Sequence, residues 1–346
     1  MAEKREPDPR GWDAISAALR AVHGPGEPLH WAAPIPYILG GRDPLQGIDV
    51  YRVDDPAHWH YVTYGMSELW EKETDDPEVS GWGLEYTIRV ARAPDDTSAP
   101  GWPVGFLNNL ARYVIESGNE VVAGHHFDLN GPIALGVDTA IRAGAFTVDA
   151  ALGSIETPNG GVTFVQAVGL TLDELAAARA WDTAKVLALL QARDPLLITD
   201  LARRSYLEVP EVARSVAEGT RRDGSSQGIC YVGLVEWSVG PGAAVTIGGT
   251  AAQELAIGLP SRLPFGRALT LAGKQALRFE PASRWSWRAE QHALVVSLPA
   301  DACAELLAGI AARRGSYSWE KLPGLVVTVI PSEIKDRDGQ VVQVVG

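Results

Sequence analysis

Three strand-like blocks followed by one strongly periodic helical segment dominate the first third of the chain. The blocks "IDVYRV", "WHYVTYG" and "GWGLEYTIRVAR" are rich in β-branched and aromatic residues and are separated by turn-forming residues, which predicts strands of one sheet. The next block, "GWPVGFLNNLARYVIESGN", places Leu110, Tyr113 and Val114 on one face at helical spacing. Gly118 suits the C-terminal end of that helix. A sheet with a helix packed on it is therefore expected here.

Further helices and strands are predicted on both sides of this region. "WDAISAALRAV" predicts an N-terminal helix, and "GPGEPLHWAAPIPYILGGRDP", which Pro and Gly interrupt, predicts a loop. Downstream, "VTFVQAVGL" predicts a buried strand, and "TLDELAAARAW" predicts a helix that opens with Thr171 and Glu174 at capping-box spacing. "DTAKVLALLQA" and "PEVARSVAEGTRR" predict two more helices, and "PLLITD" between them predicts a strand.

A polar junction, "RRDGSSQG" at residues 221–228, precedes a region that is richer in strands. There "ICYVGLVEW", "AAVTIGG", "RALTLAG", "ALRFE", "ALVVSL" and "LVVTVIP" each predict a strand, and "ADACAELLAGIAARRG" predicts one helix. A chain of 346 residues exceeds the size that one core usually serves. We therefore predict an α+β protein in which each domain has a mixed, mostly antiparallel sheet packed with helices. The expected divisions are a helical lead-in over 1–29, an N-terminal domain over 30–220 and a smaller C-terminal domain over 229–346.

Charge and cysteine content narrow the classes of function. The formal net charge of −13 at pH 7 repels phosphate backbones, which argues against nucleic-acid binding and favours a basic partner. No segment approaches the roughly 18 apolar residues of a spanning helix, and the charged start does not resemble a signal peptide. A cytoplasmic protein without membrane contact is therefore expected. Cys230 and Cys303 lie far apart without metal-ligand spacing and are expected to be buried free thiols.

Histidines provide the main candidates for a site. In a strand, His58 and His60 of "HWHYV" share one face and could present two imidazoles to a metal, but no third ligand lies at a suitable spacing. Packing within the sheet is the favoured interpretation of this pair. The adjacent His125 and His126 of "AGHHFDLNGP" point in opposite directions in an extended chain, so one of them can line a cleft. Asp128 could orient a histidine for acid–base catalysis, although no nucleophile motif accompanies it.

Three other motifs receive simpler interpretations. "VGPGAAVTIGG" lacks the Lys-Ser/Thr of a phosphate-binding loop and shows no helix after it, so a hairpin turn at Gly240, Pro241 and Gly242 is predicted. The acidic run "EKETDDPE" has no calcium-loop pattern and predicts a solvated loop, with the lesser alternative that it steers a basic partner. Trp285 and Trp287 of "RWSWRAE" share one strand face, where core packing and an interface are equally compatible with the pattern.

Several blocks between residues 30 and 225 resemble, in order and spacing, the Suppressor of fused family. The resemblance is carried by "HWHYVTYGMSELW", "GWGLEYTIRVAR", "WPVGFLNNLARYV", "GHHFDLNGPI", "TPNGGVTFVQAVGLTLDELAAARAWD" and "LLITDLARR". It extends more weakly through "RLPFGRALTL", "LVVSLPADACAELL" and "YSWEKLPGLVVTVIP". The resemblance implies a non-catalytic protein without cofactor or metal that binds a short segment of a protein partner as an added strand in an inter-domain cleft.

The resemblance also implies which residues contact a partner. The tyrosine of the family's "ARYV" helix corresponds to Tyr113, which implies a position lining the cleft. The family's "GDH" loop has a ligand-binding carboxylate where this chain has His125, so the chain departs from the family there. His126 and Asp128 complete the expected partner-binding set. The expected structural cluster of the sheet consists of His58, Trp59, His60 and Tyr61.

The family implies more than one biological role. Its animal members repress Hedgehog signalling by holding Gli transcription factors, and its bacterial members are inferred to be immunity proteins of polymorphic toxin systems. Heavy use of Ala, Gly and Arg indicates a bacterial source, so the favoured interpretation is an immunity protein that neutralises a cognate toxin. The alternatives are an intracellular regulatory scaffold that binds a host peptide, and a metal-dependent enzyme that uses the His58, His60, His125 and His126 region.

Overall fold

Two compact units make up the protein, which we describe from a computed structural model. The residues that the structure describes are 8–33, 40–93, 95–335 and 340–346. The first unit contains the described residues up to Ala178 together with Thr183–Ala213, and the second contains Arg179–Asp182 and the described residues from Arg214 onward. Both units combine sheets with helices, so the predicted α+β class is confirmed.

The first unit is built on one large sheet. Its strands are β1 (Leu29–Ala32), β2 (Gly47–Asp54), β3 (Ala57–Tyr64), β4 (Val79–Ala91), β5 (His126–Asp128), β6 (Ile141–Val148), β7 (Ser154–Thr157) and β8 (Gly160–Thr171). The helices that begin in this unit or lie within it are α1 (Arg10–His23), α2 (Trp102–Ser117), α3 (Leu172–Ala180), α4 (Thr183–Gln191) and α5 (Pro210–Asp223). The strand order is β1-β2-β3-β4-β8-β6-β5, and β7 pairs with β8. Strands β4 and β8 pair in parallel, and the other pairs named here are antiparallel.

Strand β3 is buried on both faces because a helix covers each of them. Its Val62 and Tyr64 pack in the same apolar cluster as Ile15 and Leu19 of α1. The alternate residues of β3, among them Tyr61, pack in a second cluster with the buried face of α2. Burial of one such side chain contributes about 1.5–3 kcal/mol, so both helices are held mainly by apolar packing against this strand.

The second unit contains three smaller sheets. Its strands are β9 (Ile229–Tyr231), β10 (Val235–Val239), β11 (Ala243–Gly248), β12 (Leu269–Ala272), β13 (Ala276–Pro281), β14 (Ser286–Ala289), β15 (Ala293–Leu298), β16 (Gly315–Ser318), β17 (Leu325–Ile330), β18 (Ser332–Lys335) and β19 (Val341–Val345). The helices that lie wholly within it are α6 (Gly249–Arg262) and α7 (Ala300–Gly309), and most of α5 also belongs to it. The strand orders are β10-β11-β17-β16, β14-β15-β13-β12-β9 and β18-β19. One apolar cluster joins the two larger sheets to both helices, and Trp285 and Trp287 pack against it.

Three predicted segments differ from the structure in the type or extent of the element. The predicted loop between α1 and β2 contains strand β1, which pairs with β2. "PLLITD" is not a strand: only Thr199 bridges to Val90, because Leu197 has a φ of 50° that interrupts an extended chain. "ICYVGLVEW" forms β9 and β10 in two different sheets rather than one strand.

Helix α6 was missed by sequence reasoning, and this corrects the interpretation of "VGPGAAVTIGG". The predicted hairpin turn does connect β10 to β11, but a helix begins directly after β11 at Gly249. Gly258 and Pro260 lie inside this helix and hide its periodicity. Gly258 packs closely against β12, since a Cβ there would lie 2.7 Å from the end of the Leu269 side chain. Across the described parts of the chain, no helix has the length and hydropathy needed to span a membrane.

Candidate functional site

The residues predicted to bind a partner lie on one continuous segment of the first unit. Tyr113 lies in the C-terminal half of α2 and is 52% exposed. His125 is exposed immediately before β5, and His126 and Asp128 are the first and last residues of that strand. A single helix–loop–strand segment therefore carries all four residues.

Strand β5 forms one edge of the eight-stranded sheet. The main-chain O of His125 accepts a hydrogen bond from Phe146 at 2.9 Å, and the N–H of Leu129 donates to Arg142 at 3.1 Å. Because antiparallel ladders bond through alternate residues, the main-chain groups of His126 and Asp128 point away from β6. This is the side on which an additional strand would pair.

An aromatic stack supports the edge strand from one side. The Phe127 ring stacks on Phe106 of α2 with a centroid distance of 5.9 Å and lies 5.1 Å from the Phe146 ring of β6. Gly144 of β6 makes room for it, since a Cβ there would lie 2.4 Å from the Phe127 ring. The position of β5 relative to α2 is thus fixed by packing rather than left to a mobile loop.

The loop between α2 and β5 is tied down at several points. The hydroxyl of Tyr86 donates to the main-chain O of Val121 at 2.9 Å, and the N–H of His125 donates to Val122 at 3.1 Å. The Asn119 amide lies 3.4 Å from the Tyr113 hydroxyl. These contacts hold the backbone of the loop between α2 and β5 at Val121 and Val122.

The polar side chains of β5 contact neighbouring parts of the first unit. His126 Nδ1 lies 2.9 Å from the hydroxyl of Thr183 at the start of α4. Asp128 Oδ1 accepts a hydrogen bond from the Asn130 N–H at 2.8 Å, which shapes the turn after the strand. Asp128 therefore serves the local backbone in this structure, while its exposed carboxylate still faces solvent.

The other predicted cluster, His58, Trp59, His60 and Tyr61, lies within β3 and is buried. His58 Nδ1 lies 2.7 Å from the main-chain O of Pro56, and the Tyr61 hydroxyl donates to Pro100 at 2.7 Å. The guanidinium of Arg92 lies 5.8 Å from the Trp59 ring centroid, within cation–π range. These side chains connect β3 to the neighbouring parts of the first unit.

His60 belongs to a buried charge network that the sequence did not reveal. Its Nε2 lies 3.2 Å from Asp149 Oδ2, within ion-pair distance although off the direction of a well-formed hydrogen bond. Arg89 Nη2 donates to Asp149 Oδ1 at 2.9 Å, and the Thr87 hydroxyl donates to Asp149 Oδ2 at 2.9 Å. The Nδ1 of His60 lies 3.0 Å from Nε2 of His23 in α1.

Burial and the neighbouring charges set the protonation states of this network. Burial, followed by the charge of Arg89, lowers the pKa of His60 to about 3. Burial opposes ionisation of Asp149, but the contacts with His60 and Arg89 outweigh it and hold the pKa of that carboxyl well below its usual range. At neutral pH the network is therefore a neutral histidine against an Arg–Asp ion pair.

A metal centre at these histidines finds no support in the geometry. Among the residues that the structure describes, no group of three or more His, Cys, Asp or Glu side chains is arranged to hold a metal ion. His60 directs both of its ring nitrogens at protein partners, His23 and Asp149.

A second exposed edge lies in the other unit and was not singled out from the sequence. Strand β9 ends its five-stranded sheet, and its Ile229 and Tyr231 side chains are 51% and 81% exposed. The N–H of Thr270 donates to Gly228 and the N–H of Val232 donates to Ala272, so the main-chain groups of Ile229 and Tyr231 face away from β12. The block "ICYVGLVEW" predicts one longer strand, so the short edge strand at its start is not visible from the sequence.

An open edge strand is a site at which some proteins bind an extended segment of a partner by strand addition. The sequence model of the Suppressor of fused protein (SUFU) family matches residues 41–204, a range that contains all four candidate residues of this edge. Over this range the chain is similar to the Suppressor of fused family.

Individual relatives show how far the similarity extends. The Suppressor of fused homologs of Homo sapiens and Mus musculus are each 35% identical over 218 residues, which cover 58% of this chain and 44% of each relative. The matched region therefore spans less than half the length of these relatives. The crystal structure of Drosophila Suppressor of Fused matches the fold with a TM-score of 0.76 at 21% identity, over 93% of this chain and 97% of that one. A chain of the Sufu–Fu complex crystal structure matches with a TM-score of 0.56 at 29% identity, over 61% of this chain and 98% of that one.

Proposed function

We propose that this protein acts by binding a partner protein and not by catalysis, and that the partner contacts the β5 edge and Tyr113. The observation that supports this most directly is the similarity to a chain of the Sufu–Fu complex at 29% identity over 61% of this chain. The family match over residues 41–204 includes the whole α2–β5 segment. The shared region is therefore the one that carries the candidate residues.

The geometry of the edge suits addition of a strand. Outward-facing main-chain groups at His126 and Asp128 supply backbone hydrogen bonds, which give affinity with little sequence selectivity. Tyr113 supplies a large ring at low entropic cost, and such residues are typical anchors of interfaces. His125 and Asp128 add polar groups that select among partner side chains.

The finer proposal is that the partner is a toxin and that this protein is its immunity protein in the cytoplasm. The net charge of −13 favours association with a basic partner, and many toxins that act on nucleic acids are basic. A regulatory scaffold for a peptide of the host's own proteins would use the same edge, so the two roles are separated by the identity of the partner.

Affinity purification from the native cells tests both levels of the proposal. The tagged protein is recovered beside a Tyr113→Ala variant, and the bound proteins are identified by mass spectrometry. A toxin-domain protein that is lost from the variant supports immunity, and co-expression should then rescue growth through a one-to-one complex. Recovery of only a host protein, again lost from the variant, supports the scaffold. Binding that is identical for both baits places the partner elsewhere.

A matched control separates loss of the site from loss of the fold. Tyr317 is partly exposed in β16 of the second unit, and its hydroxyl donates to Arg313 at 2.8 Å. Tyr317→Ala removes a ring of the same size far along the chain and should leave the recovered partner unchanged.

A further inference from the structure

The C-terminal end of α1 contacts the sheet through a histidine pair. His23 is the last residue of α1, and its Nε2 lies 3.0 Å from Nδ1 of His60. The His23 ring also stacks on Tyr51 of β2, with a centroid distance of 4.2 Å and an interplanar angle of 12°. The rest of α1 is held by apolar contacts, mainly those of Ile15 and Leu19.

The proton positions in this pair follow from its neighbours. Asp149 is ionised and can only accept, so the His60 Nε2 that faces it carries a proton. In a neutral His60, Nδ1 then has a lone pair, and His23 Nε2–H must donate to it. His23 Nε2–H therefore donates to His60 Nδ1, and His60 Nε2–H faces Asp149 Oδ2 at 3.2 Å, so the pair in this arrangement contains a neutral His60.

Several charged and titratable groups surround His23. Arg20 lies about one turn before His23 on α1. Tyr51 faces His23 from β2, and His58 and His60 face it from β3. Arg89 of β4 and Asp149, after β6, complete the set. Burial, then the charges of Arg89 and His58, lower the pKa of His23 to about 4, and Asp149 opposes them only in part.

We propose that His23 and His60 form a proton-sensitive latch that holds the end of α1 on the sheet at neutral pH and releases it on acidification. In the docked helix, the His23 ring is stacked on Tyr51 and in contact with His60, so a proton on it is a charge partly removed from water and close to the charge of Arg89. In the released helix, His23 lies in water and accepts that proton freely. Uptake of one proton is therefore coupled to undocking.

Release of α1 would expose a large apolar face of the first unit. Trp12 stacks on Tyr64 with a centroid distance of 4.3 Å, and Ile15 and Leu19 pack in the cluster that contains Phe164. The latch thus connects pH to the accessibility of the sheet face opposite α2. This inference does not depend on the identity of a partner or on the β5 edge.

Amide hydrogen exchange at pH 7 and pH 5, corrected for the intrinsic pH dependence of exchange, tests the latch on the full chain. From a released-state pKa of 6.5 and a docked pKa of about 4, linkage predicts that release increases on the order of tenfold, after allowance for the partial exposure of His23. The α1 amides of the wild-type protein should lose protection by about this factor. Equal protection of α1 at both pH values would overturn the proposal.

Two variants and one titration locate the effect. His23→Gln keeps an N–H donor for His60 but cannot be protonated, so α1 should keep its protection at pH 5. The exposed His292 provides the control, and His292→Gln should behave as wild type. An NMR titration of the wild-type imidazoles needs no variant: a His23 pKa well below 6.5 supports the latch, and a value of 6.5 or above refutes it.

Discussion

Strands β3 and β5 of one sheet each carry histidines, and the two strands use them in opposite ways. In β3, His58 and His60 are 2% and 0% exposed and contact Pro56, His23 and Asp149. At β5, His125 is exposed and His126 is partly exposed beside the start of α4. The residue type is the same, and only the position of the strand in the sheet differs.

That difference shows what decides the role of a polar residue in this fold. Strand β3 lies between β2 and β4 and under two helices, so its imidazoles must be neutral and satisfied by protein atoms. Strand β5 is an edge, so its side chains and outward main-chain groups can meet a partner. Changes in the first region should therefore affect stability, and changes in the second should affect binding.

The largest expected loss of stability follows from removal of the buried Arg89–Asp149 ion pair. Arg89→Leu leaves Asp149 buried without its cation, and breaking such a pair costs about 3–5 kcal/mol of unfolding free energy. Urea denaturation followed by tryptophan fluorescence measures it. Arg142→Leu on the exposed side of β6 is the matched control and should stay within about 0.5 kcal/mol of wild type. Similar losses of unfolding free energy for both variants would contradict the prediction that the buried ion pair contributes more to stability than an exposed arginine.

Acid should weaken the same region through His60. Its pKa is about 3 in the folded protein and 6.5 when unfolded, so the unfolded chain binds the proton first and stability falls as the pH drops below 6.5. At pH 5 the loss from this group is about 2 kcal/mol. Asp149 adds its own loss only near and below its unfolded pKa of 3.8, which separates the two effects. Urea denaturation midpoints measured between pH 7 and 5 test this prediction. The control variant His125→Gln should show the same change of midpoint with pH as wild type. A wild-type midpoint that does not change with pH would contradict the role of His60.

Tyr113→Ala should show the reverse behaviour. The ring is 52% exposed, so the variant should unfold at nearly the wild-type urea concentration. Loss of an aromatic anchor should weaken partner binding by about 1–3 kcal/mol, which isothermal titration calorimetry can measure. Unchanged affinity in a folded variant would remove Tyr113 from the site.

The smallest effect is expected from Asp128→Asn. Asparagine keeps the oxygen that accepts the Asn130 N–H, so the turn should survive while the charge is lost. For a basic partner, affinity should fall by less than about 1 kcal/mol and depend less on salt than that of wild type. An identical salt dependence for variant and wild type would show that Asp128 does not face a cation of the partner.

Sequence reasoning predicted the elements that have a strong local pattern. It failed where tertiary contacts determine the secondary structure of a segment. The β2–β3–β4 meander and α2 follow from periodicity and turn residues alone. Helix α6 was hidden because Gly258 and Pro260 interrupt the helical pattern, although Gly258 packs closely against Leu269 in the structure. "PLLITD" has strand composition, but the left-handed conformation of Leu197 bends it after a single bridge.

The candidate site shows the same division. Tyr113 and the residues at β5 could be named from the resemblance, yet only strand order reveals that β5 is an edge. The charge network of β3 joins Arg89 and Asp149, which are 60 positions apart, with a histidine of α1. No local pattern links such positions, because their proximity results from the pairing of whole strands.

The place of β8 in the sheet order also has a consequence for biosynthesis. Strand β6 joins the rest of the sheet through β8, and β5 is attached only to β6. A growing chain that has not yet emerged beyond residue 171 lacks the strand that connects this edge to β4. The proposed partner-binding edge is thus joined to β4 only after β8 has emerged from the ribosome.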